Sequence, residues 1–148
     1  MATYNHIKNI SILDINKIIL IESEAYRKPW TRSHFENDIK NKQSINFMYK
    51  KNNEIIAYLF GYLIDDEYHL NKITVKKVYR GKKIGKTLFN YCLDELLLQD
   101  VRNIQLEVSS LNLVAQKFYK SLDFLQVGIR KKYYSEDEDA LLYNLEVK

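Results

Sequence analysis

Lys76-Lys77-Val78-Tyr79-Arg80-Gly81-Lys82-Lys83-Ile84-Gly85-Lys86 sets six cations into eleven residues. Before this stretch, Tyr68 to Val75 reads as a strand. After it, Ile84, Leu88, Cys92 and Leu96 recur at helical spacing and predict a helix from about Gly85 to Gln99. A strand feeding a glycine-bearing basic turn that opens a helix makes an anion cradle. The first-turn amides have no intrahelical acceptor, the helix end carries partial positive charge, and glycine lets the backbone come close. Four occupants compete: bulk water around a charged loop, a nucleotide in a P-loop, a nucleic acid, or a pyrophosphate-bearing cofactor. Gly81 to Thr87 has three residues between its glycines, one short of a Walker A loop. Nucleic-acid binding asks for more net charge than +4 and for aromatic platforms on the same face.

Working outward, the chain alternates strand and helix signals. Tyr4 to Ile10 is a candidate first strand. Ser11 and Asp14 have capping-box spacing, and Ile12, Ile15, Ile18/Ile19 and Glu22 form a helical stripe to about Ala25. Pro29-Trp30 interrupts the chain, and Thr31 caps a short helix to about Ile39. Ile45 to Lys50, an Asn52-Asn53 turn and Glu54 to Ile64 predict a hairpin, and Asp65-Asp66 leads into the next strand. Beyond the basic helix, Ile104, Leu106 and Val108 alternate with Gln105 and Glu107. Asn112 to Leu122 is helical, with Leu111, Ala115, Phe118 and Leu122 as its expected buried stripe. Phe124 to Tyr134 and Leu141 to Val147 close the chain as strands. That order predicts an α+β (mixed α/β) fold with helices packed on a sheet.

The 148 residues suit one domain with one sizeable core, so residues 1–148 are read as a single domain. Gly (4) and Pro (1) are scarce, which excludes collagen-like and Pro/Gly-rich disordered classes. The uncharged apolar run Ile55 to Ile64 is too short to span a bilayer as a helix. Met1 to Asn9 has no apolar signal core, so a cytoplasmic protein is expected, with no membrane partner. One cysteine cannot close an internal disulfide, and Cys92 on an apolar helical face reads as packing. His6, His34 and His69 are scattered and make no metal set.

Thr74 to Gly85 resembles the acetyl-CoA signature of the GNAT N-acetyltransferase superfamily, R/Q-x-x-G-x-G/A after a strand and opening a helix. Arg80 and Gly85 match its ends, and Lys83 stands at the middle glycine. Leu106-Glu107-Val108, Asn112, Ala115, Phe118-Tyr119, Leu122 and Phe124 resemble the family's L-E-V-R…N-x-x-A-x-x-L-Y-x-x-L-G-F stretch, with Asp123 at the usual glycine. Glu24-Ala25-Tyr26 and Pro29-Trp30-Thr31 resemble the E-x-A-F…P-W-S entry of RimI-type N-terminal acetyltransferases, and Tyr133-Tyr134 with Glu138-Asp139-Ala140 their Y-Y…E-D-A close. The resemblance implies a central, mostly antiparallel twisted sheet of about seven strands, with about four helices on both faces. It implies acetyl-CoA as co-substrate, held by Ile73, Thr74, Val75, Arg80, Gly81, Lys82, Lys83, Ile84, Gly85, Lys86, Asn112 and Tyr119.

For the acceptor it implies a protein or peptide N-terminus, here the N-terminal alanine of a small-subunit ribosomal protein. Pro29, Trp30, Tyr133 and Tyr134 would line its entrance, against a plain packing role for the same aromatics. Glu107 would be the general base and Tyr119 the general acid. Burial of Glu107 beneath aromatic residues would raise its pKa toward the working range. The acceptor class has a physical side. At pH 7 an α-amine is roughly 10–15% neutral and a lysine amine under about 0.1%, a gap of about 3.5 kcal/mol. Two alternatives remain open: an enzyme acetylating lysine side chains or a polyamine, and a non-catalytic CoA- or RNA-binding module. Nucleic acid is not expected as a direct ligand, and a monomer or weak dimer is expected.

Overall fold

The computed structural model describes residues 4–147; the first three residues of the segment read for a signal core lie outside them. Seven strands and four α-helices follow in order: β1 (Ile7–Asn9), α1 (Ile15–Ala25), α2 (Arg32–Lys40), β2 (Phe47–Lys51), β3 (Glu54–Ile64), β4 (Glu67–Val75), α3 (Ile84–Leu97), β5 (Asn103–Ser109), α4 (Leu113–Ser121), β6 (Leu125–Ser135) and β7 (Glu138–Glu146). The strands form one sheet in the order β1-β2-β3-β4-β5-β7-β6. Neighbours run antiparallel except β4 and β5, which are parallel. No described helix is long and apolar enough to cross a membrane.

Alternation along β3 shows how the sheet divides the core. Ala57 and Leu59 pack with Leu88, Cys92 and Leu96 of α3 and Tyr119 and Leu122 around α4. Tyr58 and Phe60 pack with Ile15, Ile18 and Ile21 of α1 and Phe35 of α2. Because successive strand side chains face opposite ways, α1 and α2 cover one face and α3 and α4 the other.

Local signals hold the expected turns. The Asp14 carboxylate accepts from Ser11 N at 2.8 Å, closing the capping box over a short 3-10 turn, Ile12–Asp14. Thr31 Oγ1 accepts from His34 N at 3.2 Å and caps α2. Asn52 and Asn53 both take positive φ, 51° and 68°, as a tight hairpin turn requires. Asp123 sits at φ 72° just beyond α4, in the left-handed role that glycine usually fills.

Other expectations shift. The first strand is confined to Ile7–Asn9. In α1 the buried set is Ile15, Ile18, Ile21 and Glu22, while Ile12 is exposed. In α4 Leu111 precedes the Asn112 cap and is exposed, so the buried residues are Tyr119 and Leu122, one turn apart.

Gly61 marks a register shift between β3 and β4. A Cβ there would sit 2.2 Å from the Tyr68 ring and 2.6 Å from the His69 carbonyl. Tyr68 cannot easily retreat, because its hydroxyl donates to the Ile45 carbonyl at 2.6 Å. Gly61→Ala is therefore expected to destabilise by about 3 kcal/mol. In a chain of this size that lowers the melting temperature by about 6–12 °C. A thermal melt within a degree or two of wild type would refute the account.

Candidate functional site

The parallel ladder joins Glu67, Tyr68 and His69 of β4 to Asn103, Ile104 and Gln105 of β5 and then ends. Beyond it β4 continues to Val75 alongside β3, and β5 continues to Ser109 alongside β7. The two strands part, and a groove of about 640 Å³ lies between the free end of β4 and α4. Ile73, Thr74 and Val75 form one wall. Arg80, Gly81, Lys83, Ile84, Gly85 and Lys86 form the end at the α3 N-terminus. Asn112, Ala115, Phe118 and Tyr119 form the other wall.

The end of the groove at α3 gathers a left-handed turn, first-turn amides and cations. Lys83, the α3 N-cap, has φ 63° and ψ 17°, a left-handed backbone that glycine adopts without strain. The lysine that replaces a family glycine thus keeps the glycine-type backbone. The first bonds inside the helix, from Thr87 N and Thr87 Oγ1 to the Lys83 carbonyl, measure 3.0 and 2.9 Å. The amides before Thr87 belong to the first turn, where no intrahelical acceptor exists. Gly81 takes φ 78°. Gly85 is tight for another reason: a Cβ would reach Phe118 and Val75 at 3.3 Å, so a larger residue would press α3 away from the groove walls.

The cations divide. Lys76 donates to Glu54 at 2.7 Å, Tyr79 donates to the same carboxylate at 3.0 Å, and Lys82 lies 5.7 Å from the Tyr79 ring. Arg80 turns its Nε onto the Val75 carbonyl at 3.0 Å. Lys82 falls outside the groove lining, whereas the other residues expected to hold the cofactor line it.

Asn112 caps α4 by accepting from Ala115 N at 3.0 Å. Tyr119 is buried, and burial holds its phenol well above the ordinary range. Glu107 does not find the expected cover. It is exposed, and its carboxylate lies 3.3 Å from Arg130 Nε. Tyr134 stands near enough to feel its charge, and Tyr133 lies edge-on to Tyr134 at 5.2 Å. Trp30 packs among Phe35 and Phe60 and stacks on His34 at 3.7 Å. Pro29 is exposed. Cys92 is buried in the core, and burial pushes its thiol up to about 12.

Sequence reading missed a buried polar cluster beside the groove. Glu22 is fully buried. It accepts from Trp30 N at 2.9 Å and Tyr58 Oη at 2.5 Å, and it pairs with Lys72 Nζ. The Lys72 ammonium lies 4.0 Å from the Tyr26 ring centre and 4.5 Å from that of Trp30, where a ring face attracts a cation. The available signal was a glutamate on an otherwise apolar helical stripe.

The profile of the acetyltransferase (GNAT) family matches residues 15–124. The ribosomal protein bS18-alanine N-acetyltransferase of Escherichia coli (strain K12) is 29% identical, over 97% of this chain and 98% of its own. The enzyme of the same name from Haemophilus ducreyi is 30% identical, over 86% of this chain and 88% of its own. The crystal structure of the ribosomal-protein-S18-alanine N-acetyltransferase from Escherichia coli superposes with a TM-score of 0.89, covering 96% of this chain and 93% of that one.

Proposed function

The chain belongs to the acetyltransferase (GNAT) family, and from that premise we propose that it acetylates a protein N-terminus, the N-terminal alanine of ribosomal protein bS18, using acetyl-CoA. The observation that carries this reading is the groove between β4, beyond the end of its β5 ladder, and α4, with the α3 N-terminus at one end. Its chemistry fits a pantetheine pyrophosphate. Free first-turn amides with Lys83 and Lys86 suit the diphosphate. The Ile73–Val75 stretch, beyond the reach of the β5 ladder, suits an extended amide-bearing arm added like a strand. Full-length similarity to the bS18 enzymes supports the acceptor.

Acetyl transfer forms a carbon–nitrogen bond and breaks the carbon–sulfur bond, so one proton must leave the amine and one must meet the thiolate. Tyr119, a neutral phenol lining the groove, is the donor to the sulfur. Glu107, on the polar side of β5, takes the amine proton through water. Arg130 beside it holds the carboxylate in place. Tyr133 and Tyr134, on β6 near Glu107, with Pro29 and Trp30 on the α1–α2 connection, flank the approach of the chain end. Residues 1–148 act as one catalytic unit.

The test is CoA release with three acceptors: a peptide starting with free alanine, the same peptide blocked at its N-terminus but carrying lysine, and spermidine. Turnover confined to the free-alanine peptide is the expected result, and turnover of either control would replace the acceptor class. Glu107→Gln should lower kcat/KM about tenfold at pH 7, where only a minority of the α-amine is neutral. The deficit should shrink to about twofold at pH 9, because the amine is then about nine-tenths neutral without help. A deficit that stays constant from pH 7 to 9 would remove Glu107 from the role of base.

A further inference from the structure

The largest register shift in the described sheet lies just after Arg130. The β6–β7 ladder pairs Arg130 with Ala140 and next pairs Ser135 with Glu138. Residues 131–134 of β6 thus face a single residue of β7, Asp139. Lys132 sits inside this bulge at φ 53°, a left-handed torsion that is costly for lysine. Such a torsion persists where surrounding contacts impose it, and bulges near a site re-aim side chains.

Asp139 supplies the contact. Its Oδ1 accepts from Lys132 N at 2.8 Å, in place of a ladder bond that the bulge forfeits. Its own backbone turns the other way. Asp139 N donates to Ser110 Oγ at 2.9 Å, and its carbonyl accepts from Ser110 N at 2.9 Å. Beside it, Ser109 Oγ donates to the Glu138 carboxylate. Gln116, in the first turn of α4, donates to the Ser109 and Ser110 carbonyls at 3.0 and 3.1 Å. Asp139 is thereby anchored where β5 meets α4, and from there its side chain reaches the kink.

The kink aims the two rings that follow it, Tyr133 and Tyr134. Both are exposed, so little packing fixes them. They meet each other edge-on at 5.2 Å, and the Arg130 guanidinium carbon lies 5.5 Å from the Tyr133 ring centre. The same Arg130 stands 3.3 Å from the Glu107 carboxylate. One backbone torsion therefore sets where both rings stand relative to the Arg130–Glu107 pair.

Resting on the N-terminal acetyltransferase reading above, we propose that Asp139 is a positioning residue for the acceptor, which through the Lys132 amide fixes Tyr133 and Tyr134 at the approach of the chain end. Its loss falls on the peptide and spares acetyl-CoA. The cofactor wall is held by bonds that Asp139 does not make, the Asn112 cap on Ala115 N and the Gln116 contacts. The role needs an acceptor oxygen and not a charge. Lys131 Nζ is 3.7 Å from Oδ2, and its side chain is 76% exposed, so that bridge contributes little. Asp139→Asn keeps Oδ1 for Lys132 N, whereas Asp139→Ala removes it.

The experiment measures KM for the free-alanine peptide, KM for acetyl-CoA and kcat. It compares wild type, Asp139→Ala, Asp139→Asn, Tyr133→Ala/Tyr134→Ala and the triple variant that adds Asp139→Ala to the tyrosine pair. Asp139→Ala is expected to raise KM for the peptide about tenfold, with kcat within about threefold and KM for acetyl-CoA within about twofold. Asp139→Asn should stay within about threefold of wild type in all three. In the tyrosine-free background Asp139→Ala should add no more than about twofold to the peptide KM. If Asp139→Ala does not fold, Ser110→Ala takes its place. It removes the acceptor of Asp139 N and should raise the peptide KM about threefold, again without moving that of acetyl-CoA.

An unchanged peptide KM, an equal rise in both KM values, or a fall in kcat alone would make Asp139 a fold residue only and overturn the proposal. Asp139→Asn as damaging as Asp139→Ala would assign the effect to charge and overturn it too, as would losses additive with those of the tyrosines. Wild type that binds acetyl-CoA yet turns over no free-alanine peptide would overturn the N-terminal reading itself, and this proposal with it.

Discussion

Glu22→Ala is expected to lower the unfolding free energy by about 3–5 kcal/mol, the usual cost of breaking a buried ion pair from one side. The carboxylate is fully buried, and three donors converge on it: Trp30 N, Tyr58 Oη and Lys72 Nζ. Truncation leaves an ammonium with only 10% of its side chain exposed and two further donors without an acceptor. Burial already depresses the Lys72 pKa, while Glu22 opposes that shift, so loss of the carboxylate leaves the desolvation uncompensated. Against a typical domain stability of about 5–15 kcal/mol, the loss would be about a fifth or more. The damage should also be regional, because Glu22 ties α1 to β3, to β4 and to the Trp30 end of the α1–α2 connection. Urea unfolding measures the loss. The double variant Glu22→Leu/Lys72→Met should regain only part of it, since it removes the unpaired ammonium but leaves Trp30 N and Tyr58 Oη without an acceptor. A loss below about 1 kcal/mol in Glu22→Ala would place the pair in the class of solvent-screened bridges and contradict its burial.

What the sequence revealed depended on how local the cause was. The caps at Ser11 and Thr31 and the Asn52-Asn53 turn were legible because each is settled within about four residues. The strand–turn–helix junction was legible for the same reason, since a strand, two glycines and a helix start are contiguous. The Lys83 backbone was not, because left-handed torsion is carried by the turn as a whole and lysine gives no hint of it. Helix faces were read less well. Leu111 was placed on the α4 stripe by spacing, yet Asn112 begins the helix after it and leaves it exposed. Tyr119, which the expected stripe omitted, is buried with Leu122. Glu107 was correctly set on the polar parity of β5, but its exposure and its partner depend on β6, which brings in Arg130 from 23 positions along the chain (130 less 107). The Glu22 cluster unites residues from α1, the α1–α2 connection, β3 and β4, and no spacing rule joins Glu22 to Lys72, 50 residues on. Long-range polar pairing sets the finer parts of the site, and single-chain periodicity is blind to it.

Tyr119→Phe should reduce kcat by about 10²-fold or more, within the range of a positioned general acid, while both KM values stay within about threefold. The substitution keeps the ring. Phe118, Phe124 and Tyr143 surround it at centroid distances of 5.5, 5.7 and 6.4 Å, so the aromatic packing is preserved and stability should change by about 1 kcal/mol or less. What is lost is the hydroxyl on the groove wall. Burial raises the Tyr119 pKa, so the phenol is a neutral donor throughout the pH range in which an α-amine of pKa about 7.8 becomes nucleophilic. A thiolate leaving without a donor must reach water across an apolar wall formed by Val114, Ala115 and Phe118. The loss should therefore fall on the chemical step and not on binding. The pH profile separates this role from that of Glu107. The Glu107→Gln deficit closes as pH rises, because the amine deprotonates unaided. The Tyr119→Phe deficit should persist at pH 9, because the sulfur still needs its proton and the missing donor was never limited by ionisation there. A Tyr119→Phe enzyme with kcat within about threefold of wild type, or one whose deficit also closed by pH 9, would show that the proton reaches the sulfur from the amine or from water.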